Sequence, residues 1–299
     1  MTLAGILAAL TTPFDAPGGL RLECLAANLE AYNATALAGY LVLGSSGEAI
    51  YLDREEKLSV LRAAAAAAAP NKILLAGTGE ESLRATVAMT ASAAELGYHA
   101  AVVRTPHYYK RNMTQAALAA FYRDLADTAA LPIVLYNIPP LTGVDLALET
   151  VLELARHPRI IGLKESSGNL DKLVRIAAAR PDFSVLVGGA STLYPSLCAG
   201  AAGAVLALAA AAPAACCAVG AALRRGDHAL ALASQRALLA ACAACEPYGI
   251  AGLKAAVDAA GLYGGPPRRP VLPLAGPPLD GIHHAWAALA APAPAVAAQ

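Results

Sequence analysis

RIIGLKES, residues 159–166, carries an uncharged run, Ile160 to Leu163, that stops at Lys164 and Glu165. A strand with one wet face alternates apolar and polar residues, whereas a parallel strand covered on both faces is apolar throughout. Seven other runs share the second pattern: GILAALTTPF (5–14), GYLVLGS (39–45), KILLAGT (72–78), HAAVVRTP (99–106), PIVLYNI (132–138), FSVLVGG (183–189) and GAVLAL (203–208). Helical stretches follow them, such as DREEKLSVLRAAAAAAA (53–69) and SLRATVAMTASAAELG (82–97), the latter opening on an expected N-cap, Ser82, and closing at Gly97. Asp145, Asn169 and Ser191 likewise precede helical runs. Eight such units in about 210 residues predict an α/β chain folded as a (β/α)8 TIM barrel. A doubly wound open sheet would want G-x-G-x-x-G after its first strand, and TTPFDAPGG (11–19) is not that.

Beyond residue 212 the strands cease. Helices are expected near 213–225, 228–245, 249–261 and 279–292, with the Pro/Gly-rich turn region YGGPPRRPVLPLAGPP (263–278) between the last two. The division is a catalytic barrel over 1–225 and a C-terminal helical appendage over 226–299, ending in a loose APAPAVAAQ (291–299).

Composition narrows the partners. The chain has 299 residues, 57% of them hydrophobic, which is enough for a large core. Lys plus Arg and Asp plus Glu number 22 each, so the net charge is zero and offers no footprint for nucleic acid or an anionic membrane. Aromatics at 5% are too few for a base-stacking platform, so a small molecule is the expected partner. The six cysteines form no disulfide frame, and Cys242-Ala-Ala-Cys245 reads as two small helix residues rather than a metal or redox site. MTLAGILAALTTPF lacks a basic n-region and reads as a first strand. The alanine tracts, interrupted by Pro70 and Pro213, read as closely packing helices rather than membrane spans. A cytoplasmic location is expected, or a mitochondrial one if a transit peptide has been removed.

In a barrel the chemistry sits at the C-terminal ends of the strands. That rule nominates Thr11-Thr12, Ser45 to Glu48, Thr105 to Tyr109, Tyr136-Asn137, Lys164 to Ser166 and Gly188-Gly189. Lys164 follows an apolar strand, so its amine should face the barrel mouth with little hydration, and a neutral amine can attack a ketone to form a Schiff base. The plainer alternative is a lysine paired with Glu165, but neighbouring strand residues point to opposite faces. LGSSGEA (43–49) can present amides and hydroxyls to an anion, and a carboxylate suits it better than a phosphate because no Walker lysine follows. Tyr136, one strand before Lys164, can relay protons in the same volume, or merely cap a backbone group. Pro139-Pro140 behind it should stiffen the exit as a rigid loop.

In order and spacing, GSSGE (44–48), TPHYY (105–109), YNIPPLTG (136–143) and IIGLKESSGN (160–169) resemble the dihydrodipicolinate synthase and N-acetylneuraminate lyase superfamily over residues 4–225. The tail YGIAGLKAAVDAAGLYGGPPRRPVLPL (248–274) is similar to that of its 4-hydroxy-2-oxoglutarate aldolase branch. The resemblance implies a class I lyase that takes a pyruvate-type 2-oxo acid as its imine on Lys164 and needs no metal or cofactor. It implies proton transfer by Tyr136, Ser45 and Tyr108, the last reaching a neighbouring subunit's site in a homo-oligomer, dimer or tetramer. Substrate binding falls to Ser45, Ser46, Ser166, Gly188 or Gly189, and Val205. Leu141 stands where dihydrodipicolinate synthase carries an arginine for its second substrate's carboxylate. On that ground cleavage of a 4-hydroxy-2-oxo acid such as 4-hydroxy-2-oxoglutarate is expected, with two alternatives. One is 4-hydroxy-tetrahydrodipicolinate synthase, condensing pyruvate with aspartate semialdehyde; the other is an aldolase or dehydratase of 2-keto-3-deoxy sugar acids.

Overall fold

The structure, a computed structural model, describes residues 1–290. Each of the eight apolar runs holds a strand: β1 Gly5–Ala9, β2 Gly39–Val42, β3 Ile73–Gly77, β4 Ala100–Arg104, β5 Ile133–Asn137, β6 Ile160–Glu165, β7 Ser184–Val187 and β8 Gly203–Leu206. The strands are shorter than the runs because the last residues of each run leave the ladder to build the mouth. All pairings are parallel and in chain order, and β8 closes onto β1. The result is a (β/α)8 barrel.

Among the described residues nine helices follow the strands: α1 Leu22–Asn33, α2 Arg54–Ala67, α3 Leu83–Glu95, α4 Gln115–Thr128, α5 Pro139–Thr142, α6 Leu148–Leu154, α7 Leu170–Ala179, α8 Leu193–Cys198 and α9 Pro213–Arg224. Three more, α10 His228–Cys245, α11 Gly249–Ala259 and α12 Pro277–Ala290, form the C-terminal appendage. The expected extension of the last helix to 292 and the loose 291–299 lie outside the described residues. The stretch His228–Ala259 is apolar and long enough by length and composition to cross a membrane. It is nevertheless broken at Glu246–Tyr248 and carries the buried polar residues Gln235 and Lys254. Cys242 and Cys245 are buried on α10.

Two apolar cores arise from strand alternation. Leu7, Ala9, Leu41, Val102, Val134 and Leu186 fill the barrel, while Ile6, Ala8, Tyr40, Val103, Leu135 and Val185 pack outward against the helices. Helix starts follow local chemistry: Ser82 accepts from the Ala85 N–H, Asn169 from the Lys172 N–H, and Asp53 and Glu56 form a reciprocal capping box. Gly97 takes the left-handed turn after α3.

Three local expectations need correction. Asp145 does not cap α6, which starts after Ala147; its carboxylate is drawn instead to Asn137 and Lys172. Ser191 sits inside a short turn, Ala190–Thr192, before α8. Pro139 and Pro140 do not make an irregular loop: their fixed φ suits the first turn of a helix, and they open α5.

Candidate active site

Strand register sets the site. Arg104 of β4 pairs with Tyr136 of β5, Tyr136 with Lys164 of β6, and Lys164 with Leu186 of β7. Register partners in a parallel sheet point to one face, and Tyr136 and Leu186 belong to the barrel-filling core. This layer therefore faces the mouth. Lys164 is 4% exposed and Tyr136 5%. The Lys164 Nζ lies 4.2 Å from the centre of the Tyr136 ring. No carboxylate among the described residues pairs with it; Glu165 turns outward and pairs with Lys172 at 3.2 Å. The amine is thus buried, aimed at the mouth and not tied up in an ion pair.

Behind this layer, Asn137 and Glu165 bind β5 to β6. The Asn137 Nδ2 donates to both Glu165 oxygens, at 2.9 and 3.0 Å, and to Asp145 Oδ1 at 2.7 Å. The Lys172 Nζ bridges Asp145 and Glu165, and the Ser167 N–H donates to Glu165 Oε1 at 2.7 Å. Each member of this network is one residue from a mouth residue or holds one in place. The sequence reading assigned Glu165 its outward face but missed Lys172, which a period of helical spacing from Asn169 does not distinguish from a solvated lysine.

Across the mouth, Ser45, Ser46 and Gly47 form a tight turn after β2. The Ser45 Oγ lies 3.4 Å from the Tyr136 Oη. Leu43 and Glu48, which bracket the turn, both have left-handed backbones, with φ of 59° and 51°. A side chain in that region costs of order 1–3 kcal/mol and persists only where surroundings enforce it. Here they do. Glu48 is 2% exposed; it pairs with Lys254 Nζ of α11 at 2.6 Å and accepts from the Arg268 N–H at 2.8 Å. The Thr12 Oγ1 donates to the Gly47 carbonyl at 2.6 Å, anchoring the turn to the end of β1. Lys254 is missed from sequence because its partner lies two hundred residues away along the chain, and a lysine in an alanine-rich helix looks solvent-facing.

The remaining expected residues fall in three groups. Val205 is buried in the barrel-filling core with Tyr136. Ser166 and Gly188 face each other: a Cβ built on Gly188 would lie 1.7 Å from the Ser166 Oγ, so only glycine fits there. The Ser166 Oγ is buried without a hydrogen-bond partner among the described residues, leaving an orphan hydroxyl at the site. Gly188, two residues after the inward Leu186, keeps that phase, and both glycines line a cleft with Ser166, Ser191 and Thr192. Tyr108 is not brought to the Tyr136–Ser45 pair: it is 76% exposed and stacks edge-on against Tyr109 at 5.1 Å. Leu141 is 65% exposed on α5.

One inward residue was not anticipated. Arg104 continues the phase of Ala100 and Val102, both inside, against Ala101 and Val103, both outside. Counting by two along HAAVVRTP finds it; attention to the loop after Thr105 passes over it.

Comparison with known proteins agrees with the barrel fold. The sequence model of the Dihydrodipicolinate synthetase family matches residues 2–285, which takes in the appendage as well as the barrel. A 4-hydroxy-tetrahydrodipicolinate synthase from an Exiguobacterium species is 37% identical over 275 residues, 90% of this chain and 92% of that relative. One from Xanthomonas axonopodis pv. citri is 42% identical over 206 residues, 69% of this chain and 68% of the relative. Among solved structures, YagE, a prophage protein from E. coli of the dihydrodipicolinic acid synthase family in complex with pyruvate, superposes with a TM-score of 0.90 at 29% identity, covering 97% of this chain and 99% of YagE.

Proposed function

The chain belongs to the dihydrodipicolinate synthetase family, a family of pyruvate-dependent class I lyases that work through a lysine imine, and from that premise we propose that it joins pyruvate to an aldehyde on Lys164. The observation that carries the reading is the buried, unpaired Lys164 amine 4.2 Å from the Tyr136 ring at the mouth of a closed barrel. Lys164 Nζ attacks C2 of pyruvate; the carbinolamine loses its oxygen as water and leaves an iminium. The iminium draws electrons from C3, which gives up a proton to form an enamine, and the enamine carbon bonds to the aldehyde carbon. Read backwards, the same steps cleave a 4-hydroxy-2-oxo acid. Tyr136, with Ser45 at 3.4 Å, carries protons to and from the departing oxygen. Ser45 and Ser46 receive the pyruvate carboxylate, and the orphan Ser166 hydroxyl supplies a donor on the far side of the imine. Tyr108, exposed here, joins the relay from a neighbouring copy in a homo-oligomer.

Between the two directions, condensation with aspartate semialdehyde has the better support, since the relatives named above are synthases over 90% and 69% of this chain. Cleavage of 4-hydroxy-2-oxoglutarate remains the second reading. It rests on Leu141, whose exposed apolar side chain cannot make the contact that an arginine at that position makes to aspartate semialdehyde. Two assays on one preparation separate them: pyruvate consumption with aspartate semialdehyde, and pyruvate release from 4-hydroxy-2-oxoglutarate. A kcat/KM at least tenfold higher for condensation is expected, and the reverse ratio would make cleavage the main reaction.

A further inference from the structure

We propose that Arg104 is the specificity-determining residue for the second substrate, binding a carboxylate at the far end of the aldehyde that reacts at Lys164. The inference rests on the imine reading above and adds to it the residue that recognises the acceptor.

The placement comes from register. Arg104, Tyr136 and Lys164 are consecutive partners on β4, β5 and β6, all inward. Strands lie about 4.8 Å apart, so the Arg104 backbone is about 5 Å from that of Tyr136 and about 10 Å from that of Lys164. At about 1.5 Å per C–C bond, a three- or four-carbon aldehyde is shorter than that backbone separation, and the two long inward side chains would make up the difference. The fold also makes room for this arginine. A Cβ on Gly79, two residues past β3, would lie 2.8 Å from the Arg104 N and 3.1 Å from its Cγ. The glycine is what lets the arginine stem pass.

The guanidinium is held but not used up. Its Nη1 donates to Glu81 Oε1 at 3.0 Å and lies 3.2 Å from the His107 Nδ1. Nε and Nη2 have no hydrogen-bond partner among the described residues. Glu81 is shared: its Oε2 accepts the N–H groups of His107 and Tyr108, both at 2.9 Å, and its Oε1 also lies 2.9 Å from the His107 ring. Glu81 thus engages one arm of the fork, Nη1, and leaves the other two nitrogens facing no partner among the described residues. The acidic residues next to the other mouth residues are bound elsewhere, Glu165 by Lys172 and Glu48 by Lys254. A planar fork with free donors suits a carboxylate in bidentate contact. The adjacent Glu81 repels a phosphate dianion more strongly than a singly charged carboxylate, which favours a carboxylate as the ligand class.

The test compares two aldehydes with pyruvate as donor, aspartate semialdehyde and propionaldehyde, in wild type, Arg104→Gln, Arg104→Lys and Glu81→Gln. In Arg104→Gln the ratio of kcat/KM values, acidic over neutral, should fall by about 10- to 100-fold, the loss of a charge-assisted pair. Arg104→Lys, which keeps the charge without the fork, should lie between. Borohydride trapping of pyruvate, which needs Lys164 and not the guanidinium, checks that each variant is folded. An equal loss for both aldehydes, an unchanged ratio, or the same drop in ratio from Glu81→Gln alone would overturn the proposal, because each assigns Arg104 only to holding the His107–Tyr108 loop. Failure of pyruvate trapping in the wild type would instead strike the imine reading itself.

Discussion

The hydroxyl of Tyr136 and the amine of Lys164 are placed by different constraints. Lys164 gets its direction from strand phase and its freedom from the absence, among the described residues, of a carboxylate paired with it. Tyr136 is fixed from behind by α5, whose two prolines start a helical turn immediately after the strand. Its ring packs in the barrel while its hydroxyl reaches Ser45 across the mouth. The ring and the hydroxyl therefore have separable jobs, and Tyr136→Phe removes only the second. General acid–base groups contribute roughly 10²–10⁴-fold, so kcat should fall by at least about 100-fold while pyruvate still protects the protein from thermal unfolding. Activity equal to wild type would remove Tyr136 from proton transfer. At this scale the sequence was most informative, since Lys164, Tyr136 and Ser45 all stand at strand ends that hydropathy alone locates. What it could not supply was pairing: that Gly188 faces Ser166 and that Lys254 meets Glu48 depends on neighbours the chain brings together only on folding.

At the scale of elements, β5 and β6 are held in register by the outward layer of Asn137, Glu165, Asp145 and Lys172. Glu165 and Lys172 are 3% and 5% exposed, so removing one partner leaves a buried charge alone. That costs about 3–5 kcal/mol in comparable cases. Lys172→Met should therefore lower unfolding free energy by about 3 kcal/mol in urea titration, with a fall in kcat as the Tyr136–Lys164 spacing loosens. A loss below about 1 kcal/mol would show that Asn137 and the Ser167 N–H alone satisfy Glu165. Element types and order were legible because continuous apolar runs punctuated by Gly and Pro leave few choices. Cap assignments were less so. Ser82 and Asn169 serve the helix they precede, but Asp145 is captured by Lys172, a tertiary partner with no local signature.

At the scale of the whole molecule, the appendage returns to the catalytic face. Arg268, in the turn region between α11 and α12, forks onto Glu56 of α2 with both contacts at 2.6 Å and also lies over the Phe14 ring at 4.4 Å. Lys254 meanwhile holds Glu48 beside the serine turn. The two members of each pair are about two hundred residues or more apart in sequence, so the appendage was legible as helices but not as a clamp on the mouth. Hydrogen bonding to Arg268 holds the Glu56 carboxyl below its ordinary value of 4.5. A carboxylate lowered on folding stabilises the protein above its unfolded value, and the benefit is lost as pH falls through the folded value. Glu56→Gln should thus cost about 1 kcal/mol at pH 7 by urea midpoint, a modest figure for a partly exposed pair. The gap to wild type should close on acidification below about pH 4. A gap that stays constant or widens in acid would contradict the pairing.

The central claim is that Lys164 bonds covalently to a 2-oxo acid. Borohydride added with pyruvate, followed by proteolysis and mass spectrometry, reads it directly. The account predicts a stable pyruvate-derived adduct on the peptide carrying Lys164, dependent on both reagents. A Lys164 that stays unmodified, or an adduct confined to Lys172 or Lys254, would contradict it.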